Sequence, residues 1–99
     1  IDYNKIQSAG FTKDILDMEP LAEKWTSFGF DTCQINGHDV NELSISLSKK
    51  SRKSKKPKAV ICHTVKGKGI SFAENSPKWH HHAKFDADIL SKMYQSLES

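Results

Sequence analysis

The residues best suited to chemistry lie in one stretch, residues 63–82, which reads HTVKGKGISFAENSPKWHHH. Lys66-Gly67-Lys68-Gly69 is a flexible, cationic turn, because glycines let a backbone approach a ligand and lysines attract anions. The stretch ends in Trp79 and three histidines, and a histidine can transfer protons near neutral pH. It could therefore bind an anion and move a proton. The same residue types would also suit a solvated surface loop.

The stretch follows an apolar run, residues 59–62 (AVIC), which predicts a buried strand. A strand that leads into a Gly/Lys loop and a histidine cluster is a common arrangement for a site at the carboxyl end of a parallel sheet. If the strand alternates, His63 shares a face with Ile61 and Val65 and packs as a structural histidine. Three consecutive side chains do not easily converge on one ion, so residues 80–82 do not predict a zinc site.

The rest of the chain alternates between helical and extended patterns. Such alternation favours an α/β layer structure with a parallel sheet. A parallel sheet must be covered on both faces, and three helices cover little of one. The sequence therefore predicts a partial parallel-sheet layer with helices on its faces, as part of a larger domain. The predicted elements are a strand end at residues 1–2, a loop over residues 3–15, a helix from Glu19-Pro20 to Gly29, a strand over residues 30–35, a helix capped by Asp39, a strand over residues 58–65, a long loop, and a helix starting at Asp86 or Asp88.

Each predicted helix has one apolar face, with residues spaced three or four apart. His38 comes directly before the cap at Asp39 and is predicted to belong to a turn. The apolar faces comprise Leu21, Trp25 and Phe28 in the first helix, Val40, Leu43 and Leu47 in the second, and Ile89, Leu90, Met93, Tyr94 and Leu97 in the third.

A chain of 99 residues forms one domain at most. It has no apolar run near the roughly 18 residues that a membrane helix needs, and it opens without a signal peptide, so we predict a cytoplasmic protein with no membrane partner. It begins at Ile1 instead of Met, which suggests a fragment, a processed chain or a trimmed one. Cys33 and Cys62 lack metal-ligand spacing. Buried free thiols are the prediction, and a disulfide is the alternative.

The positive net charge of +3 is local, since seven of the 15 Lys and Arg residues lie in one run, residues 49–58 (KKSRKSKKPK). Such a run could bind nucleic acid or act as a nuclear address. It contains no aromatic residue for base stacking, and it connects a helical pattern to a strand. We therefore favour a solvated connection. A noncatalytic nucleic-acid or interaction module built on this run is the alternative.

The chain resembles the last third of the thiamine-diphosphate-binding N-terminal domain of transketolase, most closely the separate N-terminal subunits of enzymes that are split into two chains. The resemblance covers nearly all 99 residues. It implies that residues 1–99 are the C-terminal part of a single domain, which is incomplete without upstream residues. The segments that carry it are residues 2–8 (DYNKIQS), 28–29 (FG), 37–39 (GHD), 63–69 (HTVKGKG) and 79–80 (WH).

The resemblance implies that thiamine diphosphate is bound through a divalent metal, Mg²⁺ or Ca²⁺. The family's metal motif is Gly-Asp-Gly followed roughly 30 residues later by Asn. Asn4 resembles that Asn, whose side-chain oxygen is a ligand, and Ile6 would give its backbone carbonyl; oxygen ligands suit such ions. Gln7 corresponds to a glutamine that contacts the cofactor. By residue type alone, Asn4 would be a loop asparagine that bonds its own backbone.

Two further residues take roles from the resemblance. Lys66 matches a lysine that lines the cofactor and substrate channel, where it could hold a phosphate or stabilise developing negative charge. His80 matches the His of a Trp-His-Gly signature, which hydrogen-bonds sugar hydroxyls and helps to move protons. Lys68 is predicted to be exposed. The chain departs from the family pattern at Ala9, where an acidic residue is usual, and at His81, where the signature has Gly.

The implied activity is transfer of a two-carbon ketol unit from a ketose phosphate to an aldose phosphate, in carbohydrate metabolism and the pentose phosphate pathway. The cofactor supplies the carbon–carbon chemistry. A transketolase-like synthase that forms a deoxy-sugar phosphate is the alternative. The implied partners are the rest of the N-terminal domain and a pyrimidine-binding domain or subunit, in a homodimer or heterotetramer. Without them we predict that this chain is inactive.

Overall fold

A computed structural model of the chain describes residues 1–51, 54–82 and 84–99. Within these residues the strands are β1 (Asp2–Tyr3), β2 (Ile6–Gln7), β3 (Gly10–Phe11), β4 (Asp31–Asn36) and β5 (Lys58–His63). The α-helices are α1 (Thr12–Ile15), α2 (Leu21–Ser27), α3 (Val40–Leu47) and α4 (Ala87–Glu98), with single 3₁₀ turns at Lys49–Ser51 and Pro77–Trp79.

The centre of the fold is a parallel sheet with the strand order β1-β5-β4. β5 lies in the middle, and its residue Ile61 is only 1% exposed, as expected for a strand covered on both faces. The predicted α/β class and parallel sheet are confirmed. Because the strands are parallel, the segments that follow Tyr3, Asn36 and His63 leave the sheet at the same edge.

The prediction of a plain loop over residues 3–15 is wrong. β2 and β3 form an antiparallel hairpin, in which Ile6 pairs with Phe11 and Gln7 pairs with Gly10, and the short helix α1 follows. Ser8 and Ala9 form the turn between these strands. Strands of two residues are too short to produce an alternating pattern, which is why the sequence showed only polarity.

The predicted helix boundaries are largely confirmed. Gly29 adopts a φ of +93° directly after α2, the left-handed conformation that ends many helices. Asp39 caps α3 by accepting hydrogen bonds from the backbone N–H groups of Asn41 (2.8 Å) and Glu42 (3.1 Å). Of the two candidates for the last helix, Asp86 is the cap, since it accepts from the Ile89 N–H at 2.8 Å.

The buried core is small, and several apolar helix residues are exposed. Tyr3, Leu21 and Ile61 form the central cluster, where α2 packs on the sheet. By contrast, Phe28 of the segment after α2 is 80% exposed and Val40 of α3 is 76% exposed. The predicted apolar faces therefore exist, but the described residues do not cover them. The other strongly exposed members of these faces are Leu47, Tyr94 and Leu97.

Cys33 and Cys62 are free thiols on neighbouring strands, both half-buried, in agreement with the prediction. No helix in residues 1–51, 54–82 and 84–99 combines the length and the apolar character needed to cross a membrane.

Candidate functional site

Asn4, Lys5 and Ile6 form a tight turn where the chain leaves β1. The Asn4 Oδ1 atom accepts a hydrogen bond from the Ile6 N–H at 2.9 Å. Lys5 has a φ of +64°, a left-handed conformation that residues other than glycine rarely adopt. The turn brings the Asn4 side chain beside the Ile6 backbone. An amide oxygen has two lone pairs, so Asn4 can bond its own backbone and also bind a ligand.

A cavity of about 540 Å³ opens beside this turn. Asn4 lines it together with Thr64 and with Asn75, whose backbone N–H donates to the Lys66 carbonyl at 2.9 Å. Lys5 and Lys13 also line it, as do the carboxylates of Asp17 and Glu19, so its lining carries charges of both signs. Hence Asn4 and the start of the Lys66 loop border the same space.

Glycine is required in the Lys66 loop because the chain folds back on itself there. Gly67 has a φ of +75°, and a Cβ atom at this position would lie 2.7 Å from the Ala73 carbonyl oxygen. The Glu74 carboxylate accepts from the Gly69 N–H at 3.1 Å, and this hydrogen bond lowers the pKa of Glu74. Lys68 lies 3.6 Å from Glu74, and 55% of its side chain is exposed, as predicted.

His38 contributes a contact that the sequence analysis did not predict. Its Nε2 atom accepts a hydrogen bond from the Val65 N–H at 2.8 Å, one residue before Lys66. The neighbouring Gly37 packs so closely that a Cβ atom there would lie 2.5 Å from the Thr64 Cγ2 atom. The turn between β4 and α3 therefore holds the start of the Lys66 loop. Residue spacing offers no signal for this contact, since 27 positions separate the two residues.

His80 is half-buried against the β2–β3 hairpin, whereas His81 and His82 are exposed. Its Nε2 atom lies 3.2 Å from the Ser8 hydroxyl, and its Nδ1 atom is buried with no hydrogen-bond partner among the described residues. Burial, followed by the positive charges of Lys66 and His81, lowers the pKa of His80. Both effects favour the neutral form of the ring, in which Nδ1 is the nitrogen that lacks a partner among the described residues.

At His81, where the family signature has Gly, the backbone adopts a conformation that favours glycine. His81 has a φ of +59°, in the left-handed region that favours glycine. The chain thus keeps the kind of conformation that the signature glycine adopts easily, with a histidine in its place.

The predicted site residues fall into two groups. Asn4 and Ile6 form the turn beside the cavity, and the positive charge of Lys66 helps to lower the pKa of His80. Gln7 lies on β2, one residue before Ser8, and links the two groups through the hairpin. All of them lie at the edge where β1 and β5 end.

The donor atoms fit part of a site for Mg²⁺ or Ca²⁺. The Asn4 side-chain oxygen and the Ile6 carbonyl are the oxygen ligands that such ions prefer, and lysines beside them suit a diphosphate. No group of three or more His, Cys, Asp and Glu residues in the described part of the chain could hold a metal ion by itself. These ions take about six or more oxygen ligands, so further ligands must come from elsewhere.

The basic run lies away from this edge, between α3 and β5. Lys58 donates to the Ser46 carbonyl at 2.6 Å. Arg52 and Lys53 lie outside the described residues. The exposed members of the run are Lys49, Lys50, Lys55 and Lys56.

Loops that meet at the carboxyl ends of parallel strands are typical of α/β domains that bind a ligand at that edge. The sequence profile of the family described as "Transketolase, thiamine diphosphate binding domain" matches residues 1–97. The chain belongs to this family, and the resemblance inferred from its motifs is confirmed.

Similar proteins include two apulose-4-phosphate transketolase subunits A. The one from Actinobacillus succinogenes is 46% identical over 80 residues, and the one from Phocaeicola vulgatus is 37% identical over 81 residues. A 6-deoxy-6-sulfo-D-fructose transketolase subunit from a Clostridium species is 39% identical over 79 residues. These matches cover 80–82% of the chain, which spans 29% of the length of each relative.

Proposed function

We propose that this chain is the C-terminal part of the cofactor-binding half of a thiamine-diphosphate-dependent transferase, which moves a two-carbon ketol unit from a ketose phosphate to an aldose phosphate. The observation that carries this proposal is the match to the cofactor-binding domain over residues 1–97, with the Asn4 turn, the Lys66 loop and His80 at one edge of the sheet. When bound, the cofactor supplies the carbon–carbon chemistry. The relatives named as transketolases favour ketol transfer over synthesis of a deoxy-sugar phosphate.

In this proposal Asn4 and Ile6 hold Mg²⁺ or Ca²⁺ through the Asn4 side-chain oxygen and the Ile6 carbonyl. The tight turn supports the pairing because it places these two residues side by side. Gln7 is a cofactor contact on the adjoining strand. Lys66 carries a positive charge that also lowers the pKa of His80, and in this proposal it attracts the phosphate of a substrate or stabilises developing negative charge.

His80 is the proposed catalytic residue. Its depressed pKa keeps the imidazole neutral, so that it can accept a proton from a sugar hydroxyl and return it. Its Nδ1 atom has no partner among the described residues, whereas Nε2 is oriented by Ser8. Ser8 therefore orients the ring, and the buried Nδ1 is the nitrogen that still lacks a partner among the described residues.

The proposed partners follow from the relatives, which are named as subunits of larger enzymes. The rest of the cofactor-binding domain and a pyrimidine-binding domain or subunit would complete the site, in a homodimer or heterotetramer. The substrate class is sugar phosphates, and we place the enzyme in carbohydrate metabolism in the cytoplasm. The match to the cofactor-binding family favours this proposal over the alternative of a nucleic-acid module on residues 49–58.

Kinetics of three alanine variants in the assembled enzyme test the catalytic assignment. His80→Ala should lower the rate of ketol transfer by roughly 10²- to 10⁴-fold, the contribution of a positioned acid–base group, while cofactor binding persists. His81→Ala and His82→Ala should change the rate little, because both side chains are exposed. If one of these two is the inactive variant, or if none loses activity, the assignment of His80 is wrong.

A further inference from the structure

His63 forms hydrogen bonds with both of its ring nitrogens. Its Nε2 atom lies 2.7 Å from the Gln34 Oε1 atom, and its Nδ1 atom lies 3.1 Å from the Lys5 ammonium. An ammonium can only donate and an amide oxygen can only accept, so Nε2 donates to Gln34 and Nδ1 accepts from Lys5. These two hydrogen bonds connect β4, β5 and the turn after β1.

The Lys5 side chain is held on two sides. Besides the bond to His63, its ammonium lies 5.0 Å from the centre of the Tyr3 ring, which in turn lies 5.7 Å from the His63 ring. The Lys5 backbone has a φ of +64°, and such a conformation persists only where its surroundings hold it. Lys5 lies between the two residues proposed to bind the metal, so whatever fixes Lys5 also fixes their separation.

We infer that His63 and Gln34 are positioning residues for metal and cofactor binding. Gln34 fixes the proton on Nε2, which leaves Nδ1 as an acceptor for Lys5. Lys5 then holds the turn that carries the Asn4 side-chain oxygen and the Ile6 carbonyl. This inference rests on the proposed function, in which that turn binds a divalent ion. Groups one contact away from metal ligands commonly orient them in this manner.

Two substitutions to uncharged, apolar side chains test the inference in the assembled enzyme. His63→Phe keeps a ring beside Tyr3 but removes both nitrogens, and Gln34→Leu removes the acceptor at an exposed position. Mg²⁺ is added to each variant in the presence of saturating thiamine diphosphate, and binding is followed by intrinsic fluorescence. The apparent Mg²⁺ affinity should be about tenfold weaker for each variant, which is the smallest effect usual for groups that orient metal ligands. The double variant should lose no more than His63→Phe alone, because both act through one contact chain.

Two further variants separate positioning from packing. In His63→Asn the side-chain oxygen stands near the position of Nδ1 and can accept from Lys5, so most of the affinity should return. Gln95→Leu on α4 is the matched control for Gln34→Leu, since both positions are exposed, and it should leave Mg²⁺ binding unchanged. Without metal, amide hydrogen exchange over residues 4–7 should be faster in His63→Phe than in the unsubstituted enzyme and normal in His63→Asn.

Asn4→Ala distinguishes failure of this inference from failure of the proposed function. If Asn4→Ala weakens Mg²⁺ binding but His63→Phe and Gln34→Leu do not, the positioning role is overturned and the metal assignment stands. If His63→Asn is as weak as His63→Phe, His63 only packs and the inference is also overturned. If Asn4→Ala leaves Mg²⁺ binding intact, the metal assignment fails, and the positioning role fails with it.

Discussion

The left-handed backbone at His81 leads to a stability prediction that compares two neighbouring histidines. The φ of +59° costs an L-residue roughly 1–2 kcal/mol, which glycine does not incur. Glycine, however, loses more conformational entropy on folding, worth roughly 0.5–1 kcal/mol. His81→Gly should therefore leave the free energy of unfolding unchanged or raise it by up to about 1.5 kcal/mol.

His82→Gly is the matched control. His82 is not among the residues with positive φ, and its ring packs 4.5 Å from the Trp79 ring and 5.4 Å from the Phe85 ring, measured between centroids. Glycine at His82 thus raises the entropy of the unfolded chain, relieves no backbone strain in the folded state, and removes these ring contacts. We expect a loss of at least roughly 0.5–1 kcal/mol at His82, whereas the same substitution at His81 should cause no loss.

Urea unfolding of the full protein, followed by tryptophan fluorescence, measures both variants. The entropic cost of glycine in the unfolded chain is common to the two and cancels in their difference. That difference should be about 1–2 kcal/mol, with His81→Gly the more stable. Equal destabilisation by the two substitutions would refute the argument, because it would mean that His81 carries no backbone strain.

Three other predictions concern charge and assembly. The Lys66 charge helps to keep the pKa of His80 below its ordinary value, and activity should fall as His80 gains a proton. Lys66→Met should therefore raise this pKa and move the acid limb of the rate–pH profile of the assembled enzyme to higher pH. A limb that stays in place would show that the two groups are not coupled. Replacing Lys55 and Lys56 by Gln should leave turnover almost unchanged, since both face solvent; a large loss would make the basic run functional. The isolated 99-residue chain should bind thiamine diphosphate and Mg²⁺ negligibly by calorimetry, and micromolar binding would contradict the proposed division of the site.

The sequence was informative where local chemistry determines the structure. Asp39 and Asp86 cap helices because a carboxylate beside free backbone N–H groups is a local arrangement that residue order reveals. The parallel sheet followed from the alternation of elements. The apolar faces of α3 and α4 were also predicted, but their exposure was not, since exposure depends on how the elements pack and not on the spacing of residues within one helix.

The contacts that hold the site together were not predictable from spacing. His38 meets Val65 across 27 positions, and His63 meets Lys5 across 58 positions, so each contact depends on strand order. His63 was expected to pack as a structural histidine, and its two hydrogen bonds depend on a left-handed lysine that nothing in the sequence indicates. The roles of Asn4 and His80 remain predictions that the structure makes geometrically reasonable.

The pairing of β1 with β5 also determines when the site can form during folding. Lys5 and His63 are 58 positions apart, and closing such a loop costs roughly 3.6 kcal/mol of chain entropy beyond a constant term. We therefore expect the contact between Lys5 and His63 to form late, after β5 has joined the sheet. This entropy depends only weakly on loop length, since ten additional residues add about 0.1 kcal/mol. The basic connection before β5 can thus lengthen or shorten with little effect on the stability of the turn, and it is the place where we expect insertions to be tolerated.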